Sequence, residues 1–369
     1  MGIDPRPGRR RQGRRWRAAS ERHRSCPLYH EFVIPIDKDA LLGGDIRSLA
    51  RAISLIERGG DGVGGLLDEL WQARPDQGMR ASQVVGLTGP PGSGKSTMAD
   101  ALIRHWRDEG RRVAVLAVDP NSPFTGGAIL GDRVRMQRHA LDQGVFIRSM
   151  GARGHLGGVS LATRGAVRLL DALGWEMVLV ETVGVGQSEL EICEIADTVV
   201  VVTTPGAGDG VQVIKAGVTE IADVFAVNKA DLPGVDRVAR ELRDMIRLAQ
   251  AREGWKPAVV LTTATNGADG VRDLARMIDE HHGQIERSGE LRRRAAVRLR
   301  EEVVELVALR AGEFTRSQFS AEQGPPGSED PRRADPTRLA ETIFDRLTSS
   351  KRNMDGSAAE LTAASRRDL

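Results

Sequence analysis

The sequence predicts an α/β fold: a mostly parallel sheet flanked by helices, with helical extensions at both ends. Three observations carry this. Short apolar runs of strand length alternate with amphipathic helical stretches through the middle of the chain. A glycine-rich loop joins the first of those strands directly to a helix. Strand patterning stops near His282 while helical patterning continues.

Taken in order, residues 1–36 come first and are dominated by arginine (Arg9, Arg10, Arg11, Arg14, Arg15, Arg17, Arg22, Arg24), with few apolar residues. Such a segment cannot bury enough surface to fold, so it is expected to be a disordered basic tail. No apolar stretch follows the basic one, which argues against a secretory signal; an organellar presequence, a nucleic-acid arm and a start-site extension stay open. Residues 37–80 are expected to form a helical extension. Leu41, Leu42, Ile46, Leu49, Ala52, Ile53 and Ile56 recur at helical spacing, and the glycine-rich Gly59 to Gly65 should break the pattern.

Residues 81–285 carry the alternation. Strands are expected at Val84 to Thr88, Val113 to Val118, Val145 to Ile147, Met177 to Val180, Val199 to Val202, Val224 to Val227 and Ala258 to Leu261. Helices are expected at Ser96 to Arg107, Val159 to Leu173 and Val235 to Ala251, the first two closed by Gly110 and Gly174. In residues 286–369, Glu290 to Arg310 reads as a charged amphipathic helix and Gln323 to Pro336 as a Gly/Pro-rich linker. Thr337 to Leu347 reads as a further short helix before a polar tail.

Composition narrows the function classes. With 53 Lys+Arg against 51 Asp+Glu the chain is nearly neutral, so coating nucleic acid is not its expected business and no nucleic-acid partner is expected. Cys26 and Cys193 lie too far apart in sequence for a disulfide framework or a Cys-x-x-Cys zinc site, which suits a reducing cytoplasm. No apolar run approaches the ~20 residues of a membrane helix, so no membrane partner is expected.

Gly89-Pro-Pro-Gly92-Ser93-Gly94-Lys95-Ser96-Thr97 lies between a strand and a helix, the context required of a G-x-x-x-x-G-K-[ST] phosphate loop. Glycines let backbone N–H groups turn inward around phosphate oxygens, and the helix beginning at Lys95 adds the positive end of its dipole. Lys95 is expected to neutralise the β and γ phosphates, and Ser96 to ligate Mg²⁺. The fold is therefore expected to be that of a P-loop NTPase.

The strand Val224 to Val227 runs into Asn228-Lys229-Ala230-Asp231, at the edge where open α/β sheets bind ligands. A carboxylate at Asp231 can accept from the guanine ring N–H and exocyclic amine together, whereas adenine would leave it facing a lone pair. GTP and GDP are thus the expected ligands. Asn228 would hold neighbouring loops together and the Lys229 stem would lie along the base, with Thr263 and Ala264 closing its other side through their backbone.

Further acids stand where a metal and a γ-phosphate would be sensed. Asp119 ends the second strand beside the phosphate loop, a candidate Mg²⁺ or water-positioning residue. Thr125 to Arg133 is glycine-rich with one acid and one base, the composition of a loop that metal and γ-phosphate could order; Asp132 is a candidate Mg²⁺ ligand or a solvated turn aspartate. Glu181 ends the strand from Met177, and Gly184 could sense the γ-phosphate through its N–H. Val185 follows Gly184, so the glutamine that Ras-like enzymes use to orient water is absent there, and slow intrinsic hydrolysis is expected. Gln187, Glu189 and Glu191 share the loop with Glu181, and the water-orienting role stays open among them. Asp209 and Lys215, after the next strand, form another flexible acid and base pair. His281 and His282 are expected on a solvated helix end.

Taken together, GPPGSGKST, AVDPNSPFTGGAILGDRVRM, RSMGARGHLGGVS, VETVGVGQSE, TTPGAGDG and VNKAD closely resemble the MeaB/ArgK/MMAA family of GTPases, over roughly Asp37 to His282. The resemblance implies a G-protein chaperone of an adenosylcobalamin-dependent acyl-CoA mutase, chiefly methylmalonyl-CoA mutase, that gates cofactor loading and protects the mutase. It implies that Asp119, Asp132 and Glu181 belong to the metal and switch set, and that Asp209 and Lys215 lie in a third switch loop that communicates with the mutase. It also implies a homodimer joined through carboxyl-terminal helices, an arm whose geometry the Gln323 to Pro336 insert bears on. Two other readings remain. A nickel-type GTPase metallochaperone would want a His-rich or Cys-x-x-Cys store, which the sequence lacks, and a transport-linked ATPase or kinase conflicts with Asp231.

Overall fold

The computed structural model describes residues 36–58, 63–73, 81–119, 137–139, 141–151, 158–182, 191–205, 221–248, 254–265, 269–317 and 335–345. The tail 1–35 and the segments that hold Asp132, Arg133, Gly184, Gln187, Asp209 and Lys215 lie outside them, as does the side chain of Asp119.

Seven strands form one sheet: β1 (Gln83–Thr88), β2 (Val113–Asp119), β3 (Val145–Gly151), β4 (Met177–Thr182), β5 (Thr198–Thr203), β6 (Val224–Asn228) and β7 (Ala258–Thr262). All adjacent pairs are parallel, in the order β3-β2-β4-β1-β5-β6-β7. From β1 the chain first builds outward on one side and then returns to the other. The carboxyl end of β1 is therefore a switch point, where such sheets open a crevice for ligands. Every residue of β1, β4, β5 and β6 is buried, which explains their unbroken apolar runs: both faces are covered.

On one face, α4 (Lys95–Asp108) and α7 (Val271–Arg287) pack Met98, Leu102, Trp106, Leu274 and Ile278 against Val85, Leu87, Leu179 and Val202. Each such large apolar side chain contributes roughly 1.5–3 kcal/mol by burial. α5 (Gly158–Ala172) packs against β2 and β3, buries Leu169 and Leu170, and is met in turn by α2 (Ile46–Glu57) and α3 (Val63–Ala73), with α1 (Lys38–Leu42) beside them. Gly165 of α5 leaves room for Ile56, whose Cγ2 would lie 2.7 Å from any Cβ. α6 (Val235–Leu248) packs on β6 and β7; α8 (Glu290–Ser317) continues from α7, and a short helix α9 covers 336–345. No described helix is long and apolar enough to cross a membrane.

The helical extension is broken at the glycine run as expected, between α2, which ends at Glu57, and α3, which begins at Val63 and takes in Gly64 and Gly65. Two expectations change. The helix expected to end at Arg310 runs on to Ser317. His281 is not on a solvated end, for it is fully buried in α7, facing the Thr198 hydroxyl at 2.9 Å and the Trp255 ring. Its spacing with Leu274, Ile278 and Ile285 places it on the helix face turned to the sheet.

Candidate functional site

The crevice at the carboxyl end of β1 is built on three glycines with positive φ. Gly89 (φ +135°) runs so close to β5 that a Cβ there would lie 2.1 Å from the Val202 carbonyl oxygen. Gly94 (φ +92°) is the N-cap of α4, and a Cβ would lie 2.4 Å from the Asn228 amide nitrogen. Gly92 (φ +76°) lies between them. Only glycine adopts these conformations without strain and leaves the backbone open. The 14-residue α4 thereby starts at the loop without a capping side chain, with the positive end of its dipole toward the crevice.

Lys95, largely buried, folds back over the loop: Nζ donates to the Gly89 carbonyl at 2.7 Å and the Pro90 carbonyl at 3.2 Å. An ammonium seated on loop carbonyls is placed to exchange them for phosphate oxygens, which bear more negative charge. Ser96 Oγ donates to Glu181 Oε1 at 2.7 Å across α4 and β4. Glu181 is buried because its register partners, Leu87 on β1 and Ala117 on β2, flank it on both sides. Asp119 lies two residues beyond Ala117 along β2, at the same sheet edge. A hydroxyl and a buried carboxylate in direct contact are hard oxygen donors of the kind Mg²⁺ takes alongside phosphate oxygens and water, so the described pair fits the ion. Thr97 follows on α4 and is half-buried.

The far wall comes from β6 and β7. Asn228, buried, donates through Nδ2 to the Ser93 carbonyl at 2.9 Å and accepts from the Ala264 N–H at 3.2 Å. One side chain thus joins the phosphate loop to the segment after β7. Lys229 adopts φ +58°, the one described non-glycine with positive φ, and its Nζ donates to the Gly92 carbonyl at 3.0 Å. The Ala230 N–H donates to the Thr262 carbonyl, and Thr263 bridges to Asp269, which fixes the second wall. Asp231 stands exposed at the mouth, beyond this tied-down turn.

The structure therefore brings together Gly89, Gly92, Ser93, Gly94, Lys95, Ser96, Glu181, Asn228, Lys229, Thr263 and Ala264 around one crevice. Sequence reasoning missed the buried hydroxyl pair of Thr182 and Thr88, 3.2 Å apart, which links the strand carrying Glu181 to the one feeding the loop. Each reads in sequence as an ordinary strand residue, so no pattern marks the contact. A cavity of about 1050 Å³ lies elsewhere, at the amino ends of β5 and β6 between α7 and α8, and shares no residue with this crevice.

Comparison with known proteins agrees with the geometry. The family described as "Methylmalonyl Co-A mutase-associated GTPase MeaB" matches residues 49–318. A protein of Pyrococcus horikoshii named as a GTPase is 48% identical over 279 residues, 74% of this chain and 86% of that one. The mouse protein "Methylmalonic aciduria type A homolog, mitochondrial" is 35% identical over 264 residues, 68% of this chain and 63% of that one. Among solved structures, one titled "LAO/AO transport system kinase" shares the fold with a TM-score of 0.58 and 25% identity, covering 84% of this chain and 96% of that one.

Proposed function

Because the chain belongs to the MeaB family of methylmalonyl-CoA mutase-associated GTPases, we propose that it is the G-protein chaperone of an adenosylcobalamin-dependent acyl-CoA mutase, most simply methylmalonyl-CoA mutase. In this reading it gates cofactor loading and protects the mutase. Guanine nucleotide binding and GTP hydrolysis come with the family; the mutase, the Mg²⁺ ion and the homodimer are the finer part of the proposal.

The observation that carries the reading is the continuity of the crevice. Lys95 and the α4 N-terminus border the glycine loop, Ser96 and Glu181 lie within one hydrogen bond of each other, and Asn228 joins the loop to the segment after β7. Asp231 reads guanine by accepting two hydrogen bonds, and Thr263 and Ala264 close the opposite side of the base. Ser96 and Glu181 would hold Mg²⁺, with Asp119 and Asp132 completing the set, and the ion would supply charge neutralisation to the phosphates. Gly184 follows Glu181 and reports the γ-phosphate through its N–H, Gln187 in the same loop is a candidate to orient the hydrolytic water, and Arg133, Asp209 and Lys215 belong to the loops that relay the nucleotide state to the partner. Val185 in place of a water-orienting glutamine leaves basal hydrolysis slow.

The homodimer forms through α8. Leu299, Val303, Leu306 and Val307 are exposed on one flank of this helix at the spacing of a helix-packing seam.

The test is GTP turnover with and without methylmalonyl-CoA mutase. A demonstrated complex is expected to raise the rate by about tenfold or more, the gain available when a partner orders catalytic groups. Unchanged turnover in a demonstrated complex would count against the chaperone reading.

A further inference from the structure

α8 is seated on the body by polar groups. Arg294 donates to the Asp197 carbonyl at 3.2 Å and Arg298 to the Asp197 carboxylate at 2.8 Å, with a second donor of Arg298 on the Ala196 carbonyl. Arg168 of α5 meets Glu302 at 2.6 Å. Asp197, Arg164 and Glu302 are themselves buried, so what holds the helix is charge pairing at the body's surface layer rather than an apolar core of its own. A helix held this way can be reseated by redistributing charge, without opening an apolar core.

Arg164 of α5 is the centre of that seat. Its side chain is only 6% exposed, and its guanidinium is divided between two carboxylates from different elements. Nη2 donates to Glu194 at 2.7 Å and to the Ser160 hydroxyl at 3.1 Å, while Nη1 donates to Glu305 of α8 at 3.0 Å. Glu194 and Glu305 are 58% and 41% exposed, so either can turn to water, whereas the buried cation cannot. A buried charge that loses one partner binds the other more strongly, because leaving it uncompensated away from water is strongly unfavourable.

Glu194 belongs to the turn that follows residues 183–190, the stretch after Glu181. The base of that turn is fixed on β1: Asp197 exchanges hydrogen bonds with Val84 through its N–H at 2.8 Å and its carboxylate at 3.1 Å. Gly86 has no side chain where Ile192 and Ala196 press within 2.9 Å of a would-be Cβ. With the base pinned, the Glu194 side chain is the adjustable member. Glu191 stands in the same group, and burial and then Glu194 raise its carboxyl above the ordinary range.

We propose that Arg164 is a shared counter-ion through which the nucleotide state sets the seating of α8. Glu194 tightens or relaxes its hold with the nucleotide, and Glu305 takes or yields the charge accordingly. The proposal rests on the reading of the residues after Glu181 as the γ-phosphate sensor, and Arg164 is a positioning residue, remote from the reacting atoms.

The experiment is amide hydrogen exchange of the full chain with GDP and with a non-hydrolysable GTP analogue, for wild type, Glu194→Gln and Glu305→Gln. Nucleotide binding and GTP turnover are measured on the same samples. Both variants change exposed carboxylates and should fold. In wild type the α8 amides around 302–309 should exchange about fivefold or more differently between the two states, the lower end of ordinary coupling. Both variants should bring that difference below about twofold with turnover retained. Identical α8 exchange in a wild type that binds both nucleotides, or a difference that survives in both variants, would overturn the coupling. A wild type that binds neither nucleotide would instead overturn the nucleotide reading on which it rests.

Discussion

Glu181 and Ser96 make the clearest residue-level prediction. Their 2.7 Å contact sets a hydroxyl against a carboxylate where a hard cation would be shared. Glu181→Gln keeps the shape and one oxygen but removes the charge, so the Mg²⁺ concentration for half-maximal GTP turnover should rise by about 10–100-fold. An unchanged requirement would remove Glu181 from the metal set. Asn228→Ala loses both the Ser93 and Ala264 contacts and leaves those backbone groups buried. It should lower unfolding free energy by about 1–3 kcal/mol even without nucleotide, as measured by denaturant titration.

His281 shows what residue-level reading of the sequence could not reach. Two adjacent histidines on a polar stretch look solvated, and only the packing of α7 on the sheet buries the first. Burial, with the nearby Arg294 and His282, holds its pKa down to about 3 from an ordinary 6.5. The Asp223 carboxylate, 3.3 Å from Nε2, pulls the other way, but it already accepts from the Val199 N–H and burial prevails. The unfolded chain takes up a proton near pH 6.5 that the folded chain refuses until about 3. Stability is therefore full above that upper value and drains at about 1.4 kcal/mol per pH unit as pH falls through the interval. Unfolding measured at pH 6.5 and 5 should differ by about 2 kcal/mol, and His281→Gln should abolish this part of the slope.

At the scale of elements, all seven strands were legible because a parallel sheet covered on both faces needs continuous apolar runs. Their ends were less so. β3 was expected to stop at Ile147, yet it runs to Gly151 through Arg148, a residue that apolar patterning discards. Arg148 can be there because α2 supplies Glu57 at 2.6 Å and Ser54 at 2.9 Å, partners far away in sequence. The phosphate loop was readable because backbone conformation demanded its glycines; the ion pairs that seat α8 were not, since single charges on amphipathic helices look alike whether or not they are paired. The outer flank of α8 carries its own prediction. Val303→Glu places a charge in the exposed apolar seam and should convert a dimer to monomer in light scattering while leaving GTP turnover without mutase within about twofold. A dimer that survives the charge would move the interface elsewhere.

For the whole molecule, one topology explains why residues from distant parts of the sequence act together. Reversal of strand order at β1 brings the ends of β4 and β6, some fifty residues apart in sequence, to one edge with the phosphate loop between them. The candidate site is legible from sequence as far as those strand ends and the Asn228 tie between loops, because motif, loop and strand coincide there; the Lys229 contact to the Gly92 carbonyl needed the fold. In the function proposed above, this crevice distinguishes guanine through Asp231. Calorimetric titration with GTP and ATP, each with magnesium, is the decisive measurement. Wild type should bind GTP about 100-fold or more tightly than ATP, and Asp231→Ala should shrink that preference to about tenfold or less. Equal affinity of the wild type for the two nucleotides would contradict it.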